Sequence, residues 1–554
     1  MKKYRWVLLG IVSLLAVAGM SYFWATGLMD SLYAYRSPLS SSPVAAGRPL
    51  GEPVSRRVVM ILVDALRVDT AANAALMPTL NQLRAAGASA TVHSRTPSYS
   101  FQGWTTLLTG GWQELSDGPA MNPAEGESAW TWTQDNVFSA VHATGMKNAY
   151  AGTHYFTEVI PAAALDASFI VESETIENDA LSAAEAVKFI QSGEYAFVLL
   201  HINQVDWAGH HEGGPRDPRW NEAATRADAL IAQVLAALDL SQDTIMIVSD
   251  HGQIDAGGHG GQDAIVLVEP FVMAGAAVRP GAYGDIDQTD VAPTITTLLG
   301  ANLPAVSQGH ALSGMLNLSE TQLLTLTQAS ILQQKTLYEA YSRAMNVEPV
   351  EIQSSPDHFP VTIYQSAMEN IKTGRLNSER IPRLILAGMI VLALGFFLFK
   401  NHGQTLGWML ASTAIYLAVF HLIYGLLQGR TYSLSSVLSS GDIINTAALD
   451  TALALIIAWL VLFTALRLAT LPPLQATHTH LAFTGIALLI VALPALWGFA
   501  WNGAIVTWTL PEMASTFLAF LSILQLLIMA AVGLLLTGLT SLLSFLYQRN
   551  GRSK

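Results

Sequence analysis

The feature that most constrains this chain is the stretch from about residue 381 to 547, which is apolar almost without interruption. A membrane-crossing helix needs roughly 20 apolar residues, and this stretch divides into five candidates, at about 383–399, 405–427, 446–466, 481–500 and 514–546. The last is long for one crossing, so it either tilts and protrudes or breaks near Gly538. A sixth candidate opens the chain: Trp6 to Met29 is uncharged and follows Met1-Lys2-Lys3-Tyr4-Arg5. Ala16-Val17-Ala18 resembles a signal-peptide cleavage site. The apolar run continues through Tyr22, Phe23 and Trp24, however, which reads as an uncleaved anchor. Six spans, with basic residues at the start and at Arg549, Arg552 and Lys554, place both ends in the cytoplasm. The segment between the first two spans then lies outside the cytoplasm. Arg380 and Arg383 run against this rule, being on the outer flank of the second span.

The composition of the whole chain, 51% hydrophobic and 12% charged, averages two unlike parts. From about 50 to 380 the chain resembles an ordinary acidic globular protein. The expected organisation is an anchor (1–29), a linker (30–54), an extracytoplasmic domain (55–345), a membrane-proximal linker (346–380) and a membrane domain of about five helices (381–554). Residues Ser37 to Pro53, rich in Ser, Pro, Ala and Gly, read as a flexible spacer. A net charge of −13 argues against a nucleic-acid partner, because no basic stripe is available to neutralise phosphates. The chain has no cysteine, so metal ligands, if any, are His, Asp and Glu.

Within the globular part, Val58–Val63, Tyr195–Leu200 and Thr244–Val248 are short, apolar and β-branched enough for buried parallel strands. Helical patterns near 77–87, 101–109, 219–238 and 289–299 alternate with them, and 315–345 also reads as helical. The implied fold class is α/β, a sheet sandwiched between helices. Active sites in such sheets gather at the carboxyl ends of the strands. The first of these strands ends in Asp64. The second runs through His201 towards Asp206 and His210. The third leads into Ser249-Asp250-His251-Gly252 and then Gly258-His259-Gly260-Gly261. One Asp after a strand is ordinarily a turn or cap residue. Three strand ends converging on Asp, Asp-x-x-x-His, Asp-His and His instead point to a metal site.

Pro97-Ser98-Tyr99-Ser100 precedes an apolar segment able to start a helix, which places Ser100 at the N-cap. There the backbone N–H groups and the helix dipole favour a phosphate oxygen. A plain capping role fits the local sequence equally well, and Ser98 and Thr96 are nearby competitors for a nucleophile.

Taken together, these residues resemble the alkaline phosphatase superfamily, and within it most of all the glycosylphosphatidylinositol ethanolamine-phosphate transferases. The type I phosphodiesterase/nucleotide pyrophosphatases come next. Val63-Asp64-Ala65-Leu66-Arg67-Val68-Asp69 is similar to the first metal motif. Pro97 through Gly110 is similar to the nucleophile motif. Val205-Asp206-Trp207-Ala208-Gly209-His210 and the segments around Asp250-His251 and His259 are similar to the remaining metal motifs. Gln288-Thr289-Asp290-Val291-Ala292-Pro293-Thr294, then Leu303-Pro304 and Gly309, resemble the closing segment, so the likeness spans roughly 55–310. It implies one metal held by Asp206, His210 and His259, and another by Asp64, Asp250 and His251. Ser100 would lie between the two metals and touch both. The ions would be zinc, with manganese as the alternative, and the route would pass through phospho-Ser100. Asn122 falls near a phosphate-contacting Asn of the phosphodiesterase branch, although Asn122-Pro123 also suits a turn. His211 beside His210 leaves some ambiguity, and spacing favours His210.

The resulting expectation is an integral membrane enzyme that moves a phosphoethanolamine-type head group from a phospholipid to a lipid-linked acceptor. The alternative is a membrane-bound phosphodiesterase or pyrophosphatase that hydrolyses its substrate. A transporter or scaffold with a degenerate outer domain is a third reading, which the filled ligand positions disfavour.

Overall fold

The three β-branched runs become neighbouring strands at the middle of one eight-stranded sheet. The protein is described here by a computed structural model covering residues 2–124, 126–352, 360–400 and 405–551. Its strands are β1 (Arg57–Val63), β2 (Ala88–His93), β3 (Lys147–Thr153), β4 (Ala167–Val171), β5 (Tyr195–Ile202), β6 (Asp243–Val248), β7 (Val268–Gly275) and β8 (Gly281–Asp287). They lie in the order β4-β3-β5-β1-β6-β7-β2-β8. β7 is antiparallel to both neighbours, and the other pairings are parallel.

β1 shows why these strands read as continuous apolar runs. Side chains alternate between the two faces of a strand. Val58, Met60 and Leu62 enter one core with Phe101, Trp104 and Leu107 of helix Ser100–Thr109. Val59, Ile61 and Val63 enter a second core with Leu80, Ile190 and Ile231, from helices Pro78–Ala86, Ile176–Ser192 and Pro218–Leu235. Both faces are therefore covered, and the sheet can only be a central layer. Its central parallel strands deliver β1, β5 and β6 to one edge side by side.

Among the described residues, six helices are long and apolar enough to cross a membrane: Arg5–Tyr33, Val361–Phe399, Thr405–Leu427, Gly441–Leu468, Pro473–Asn502 and Met513–Arg549. The first packs chiefly against the sixth and the fifth, with Leu14 and Ala25 joining a core that holds Tyr416, Phe420, Trp459, Phe483 and Phe517. The final apolar segment is one helix, Met513–Gly551, with Gly538 inside it. Arg552 and Lys554 of the basic tail lie outside the described residues.

The two linkers differ from expectation. Residues 37–53 are not a free spacer. Leu39 and Val44 are buried against Tyr338 and Tyr341 of helix Glu320–Ala344. Arg36 pairs with Asp117, whose Oδ1 also accepts from the Ser37 N–H at 2.9 Å. Ser/Pro/Gly composition reports local stiffness and carries no information about such distant partners. Part of 346–380 is helical too: Pro360–Phe399 is a single helix of 40 residues, about 60 Å at 1.5 Å per residue. That is about twice a bilayer's hydrocarbon thickness, so its first half stands clear of the membrane. Met368 of that half packs with Leu337 and Tyr341.

Candidate metal centre and nucleophile

The edge where β1, β5 and β6 end gathers the acidic and imidazole groups. Asp64 follows β1 directly, and the turn that presents it holds Ala65 at φ 58°, a left-handed conformation uncommon outside glycine. The turn is fixed across the sheet: the Ala65 N–H donates to Asp250 Oδ1 at 3.1 Å and the Leu66 N–H to Ser249 Oγ at 2.8 Å. Arg67 then ties it to the loop after β6 through Asp255, while also pairing with Asp69 two residues on.

Asp64, Asp250 and His251 bring one ligand atom each within 4.8 Å of one another. His251 Nε2 lies 3.4 Å from Asp64 Oδ1 and 3.6 Å from Asp250 Oδ2. Asp206, His251 and His259 form a second such group. His210 joins it, with Nε2 2.9 Å from His259 Nε2 and 3.5 Å from Asp206 Oδ1. His210 is the exposed member, its side chain 33% accessible where that of His259 is 3%. His251 thus stands between the two groups rather than wholly in one, its ring stacked on that of His259 at 4.0 Å.

These donors suit divalent cations. Asp64 Oδ1 and Asp250 Oδ2 are buried without a hydrogen-bond partner, a costly arrangement that a cation would relieve. Burial, then the nearby Asp250 and Asp206, holds the Asp64 carboxyl well above the usual range. Burial also raises Asp250, while burial and then His251 push His259 well below the usual imidazole value. The two buried imidazoles are already turned to present Nε2: His251 Nδ1 meets Gly252 O at 3.0 Å, and His259 Nδ1 meets Ser98 O at 3.2 Å. A second contact of this kind fixes tautomer and ring orientation in metal sites.

Ser100 opens helix Ser100–Thr109, with its Oγ 3.3 Å from His251 Nε2. The N-cap is Tyr99, one residue earlier than expected, so the helix does not depend on the Ser100 hydroxyl for its cap. The helix approaches closely because Gly103 has no side chain: a Cβ there would lie 2.6 Å from Asp250 Cβ. Asn122 Oδ1 accepts from the Phe101 N–H at 3.2 Å, beside the nucleophile candidate. Ser98 faces elsewhere, its Oγ donating to Gly261 O at 3.1 Å.

Several residues that support the site were not singled out from the sequence. His201, near the end of β5, sets its Nε2 2.8 Å from Asp64 Oδ2 and its Nδ1 3.2 Å from Thr153 Oγ1. Burial lowers it to about 3, which keeps it neutral. Gln253 donates to Asp206 Oδ1 at 2.7 Å. Gln288 of the closing motif donates to Asp250 O at 2.7 Å. The loop after the third membrane helix also reaches the centre: Ser435 Oγ accepts from the Gly261 N–H at 3.0 Å, and Tyr432 O from Gln262 Nε2 at 2.9 Å. A Cβ at Gly258 would lie 2.0 Å from Ser435 O, and one at Gly261 would meet Ser433 and Ser435, so these two glycines near His259 are what let this loop dock.

Two cavities meet at the centre and share Asn122, Pro123, Ala124, His210 and His259. One, of about 640 Å³, is mostly apolar and runs between Leu28 and Leu32 of the first membrane helix, Ile443 and Ile444 of the fourth, and Phe517 and Phe520 of the sixth. The other, of about 560 Å³, is more polar and contains Ser100, Tyr155, Glu158, Glu174 and Asn203.

A family profile described as type I phosphodiesterase / nucleotide pyrophosphatase matches residues 58–114 and 121–385, more than half of the chain. Among curated proteins, GPI ethanolamine phosphate transferase 2 of Yarrowia lipolytica is 26% identical over 341 residues, covering 57% of this chain and 38% of that protein. The catalytic subunit of GPI ethanolamine phosphate transferase 2 of Homo sapiens is 23% identical over 290 residues, covering 48% of this chain and 28% of that one. This chain therefore spans less than half the length of either relative. A solved structure described as a protein in the alkaline phosphatase superfamily from Vibrio parahaemolyticus superposes with TM-score 0.37 at 15% identity, over 52% of this chain and 78% of that one.

Proposed function

Because the chain belongs to the type I phosphodiesterase / nucleotide pyrophosphatase family, we propose that it is a membrane phosphotransferase acting on a phospholipid head group of the phosphoethanolamine type. The observation that carries this reading is the apolar cavity, walled by three membrane helices and ending at His210 and His259. A water-soluble nucleotide has no use for such a wall, whereas an acyl chain can lie in it while its phosphodiester reaches Ser100. Relatives named for ethanolamine phosphate transfer support the same choice.

Asp64, Asp250 and His251 would hold one divalent cation, and Asp206, His210 and His259 the other. Zinc suits this all-oxygen-and-imidazole set, and manganese is the alternative. When bound, the pair supplies charge neutralisation for the phosphoryl oxygens and lowers the pKa of the attacking hydroxyl. Ser100 Oγ bonds to phosphorus as the lipid alcohol leaves. An acceptor hydroxyl then attacks the same phosphorus and frees Ser100. Asn122, beside the start of the Ser100 helix, orients the phosphoryl group.

Phosphatidylethanolamine labelled in the head group tests the reading. With protein in mixed-lipid vesicles, the label is expected to move to a second lipid-linked alcohol. Release as soluble phosphoethanolamine would favour a hydrolase, and no release at all would overturn the enzyme reading.

The domain bearing this site is proposed to lie outside the cytoplasm. Support comes from the basic start of the chain and from the loops after the third and fifth membrane helices. These meet the domain or its flanking helices through Ser435 with Gly261, Val506 with Ser31, and Trp508 with Glu379. The chain has no cysteine, so single cysteines at the exposed Ser42 and at Ser553 in the tail can be probed with an impermeant thiol reagent. In intact cells Ser42→Cys is expected to label and Ser553→Cys to stay protected. The reverse pattern would invert the topology.

A further inference from the structure

We propose that the polar cavity beside Ser100 is a recognition site for a primary ammonium group carried by the phosphoester. This rests on Ser100 being the phosphoryl acceptor, and it assigns the selectivity to Glu174, Asn203 and Tyr155. Among the described residues, the cavity's lining contains the carboxylates of Glu127, Glu158, Glu174 and Asp206, the imidazoles of His154, His210 and His259, and no Lys or Arg. Beyond the candidate metal ligands Asp206, His210 and His259, the glutamates of this wall favour a cation.

The geometry is selective as well as acidic. Glu174 makes no ion pair with Lys or Arg among the described residues; its Oε1 accepts a long bond from Asn203 Nδ2, at 3.5 Å, and the Tyr155 hydroxyl also bonds to its carboxylate. Asn203 is 3% exposed, lines the cavity, and has its Oδ1 buried with no hydrogen-bond partner. An orphaned acceptor in a buried site calls for a donor. A primary ammonium supplies three donors and a charge, enough to serve Glu174 and Asn203 Oδ1 together. Tyr155 adds an aromatic face beside Phe101 and Trp104, with ring centroids 6.1 and 6.3 Å away, and such faces attract cations. A quaternary ammonium would meet the faces but could not satisfy Asn203.

Phosphoethanolamine and propyl phosphate test the assignment, because they match in length and end in an ammonium or a methyl group. Calorimetric titration of each into the full-length, metal-loaded protein in detergent is expected to show at least about tenfold tighter binding of phosphoethanolamine, in line with a charge-assisted hydrogen bond. In Glu174→Gln that ratio should fall to about threefold or less, with metal content serving as the check on folding. The wild-type comparison needs no variant: equal affinity for the two ligands overturns the proposal. So does a ratio that survives in Glu174→Gln, or tighter binding of phosphocholine than of phosphoethanolamine. Binding requires no turnover, so an inactive protein that still discriminates between the two would sink the transferase reading and leave the ammonium site standing.

Discussion

Replacing Ser100 with alanine is expected to remove turnover of a phosphodiester substrate by at least about 10²-fold, as for loss of a covalent route. The expectation rests on what the hydroxyl does and does not touch. Its near neighbour is His251 Nε2, at 3.3 Å, so the oxygen faces the group shared by both candidate metal sites. The N-cap position of the helix it opens is Tyr99 rather than Ser100, and truncating one hydroxyl leaves the packing of Phe101 and Trp104 untouched. Fold and metal content should therefore survive while activity does not. Ser98→Ala is the matched control. It loses one buried hydrogen bond to Gly261 O, on the order of 1 kcal/mol. It keeps the main-chain carbonyl that orients His259. Full activity in Ser100→Ala, with saturating metal, would remove Ser100 from the mechanism. A dead Ser98→Ala beside a live Ser100→Ala would move the nucleophile by two positions.

How much of this was legible in the sequence depended on whether the signal was local. β1, β5 and β6 were readable because both faces are buried, so apolar residues follow one another without polar interruption. Their carboxyl ends then gave the place where Asp64, Asp206, Asp250, His251 and His259 meet. β8 escaped notice because most of its residues are exposed. β3 escaped because Lys147-Asn148-Ala149-Tyr150-Ala151-Gly152-Thr153 is small and mixed in character. His201 was passed over for a similar reason, since a single imidazole near the end of an apolar strand looks like a core residue. Only the approach of Asp64 Oδ2 to 2.8 Å shows what it holds. Residues 37–53 look free in the sequence because what holds them is distant: Arg36, just before them, finds its partner 81 residues away. The docking of Tyr432 and Ser435 beside His259 could not be inferred at all, since some 170 residues separate the loops. The side chains of both implied ligand sets gather at one edge of the sheet, with His251 lying between the two groups.

Protein purified without chelator is expected to carry about two divalent transition-metal ions per chain, and removing them should abolish turnover. The fold sets the candidate ligands in place before any cation binds. Asp64 Oδ1 and Asp250 Oδ2 are orphaned in the interior, and His251 and His259 are turned by Gly252 O and Ser98 O to offer Nε2. Each cation therefore binds the folded state far better than the unfolded chain. Loading should raise the melting temperature, by an amount corresponding to about 4 kcal/mol per ion when free metal exceeds its dissociation constant a thousandfold. The sheet itself does not need the ions, because both of its cores close without these residues. The stripped protein should thus remain folded, less stable and able to reload. His259→Ala removes one ligand beside Asp206 and His210 but leaves Asp64, Asp250 and His251 intact. It should reduce the metal content from about two to about one and lower turnover with it. Elemental analysis is the decisive measurement. Metal-free wild-type protein that is fully active would overturn the two-cation reading. A His259→Ala variant that retains both ions at full occupancy would show that His259 is not a ligand.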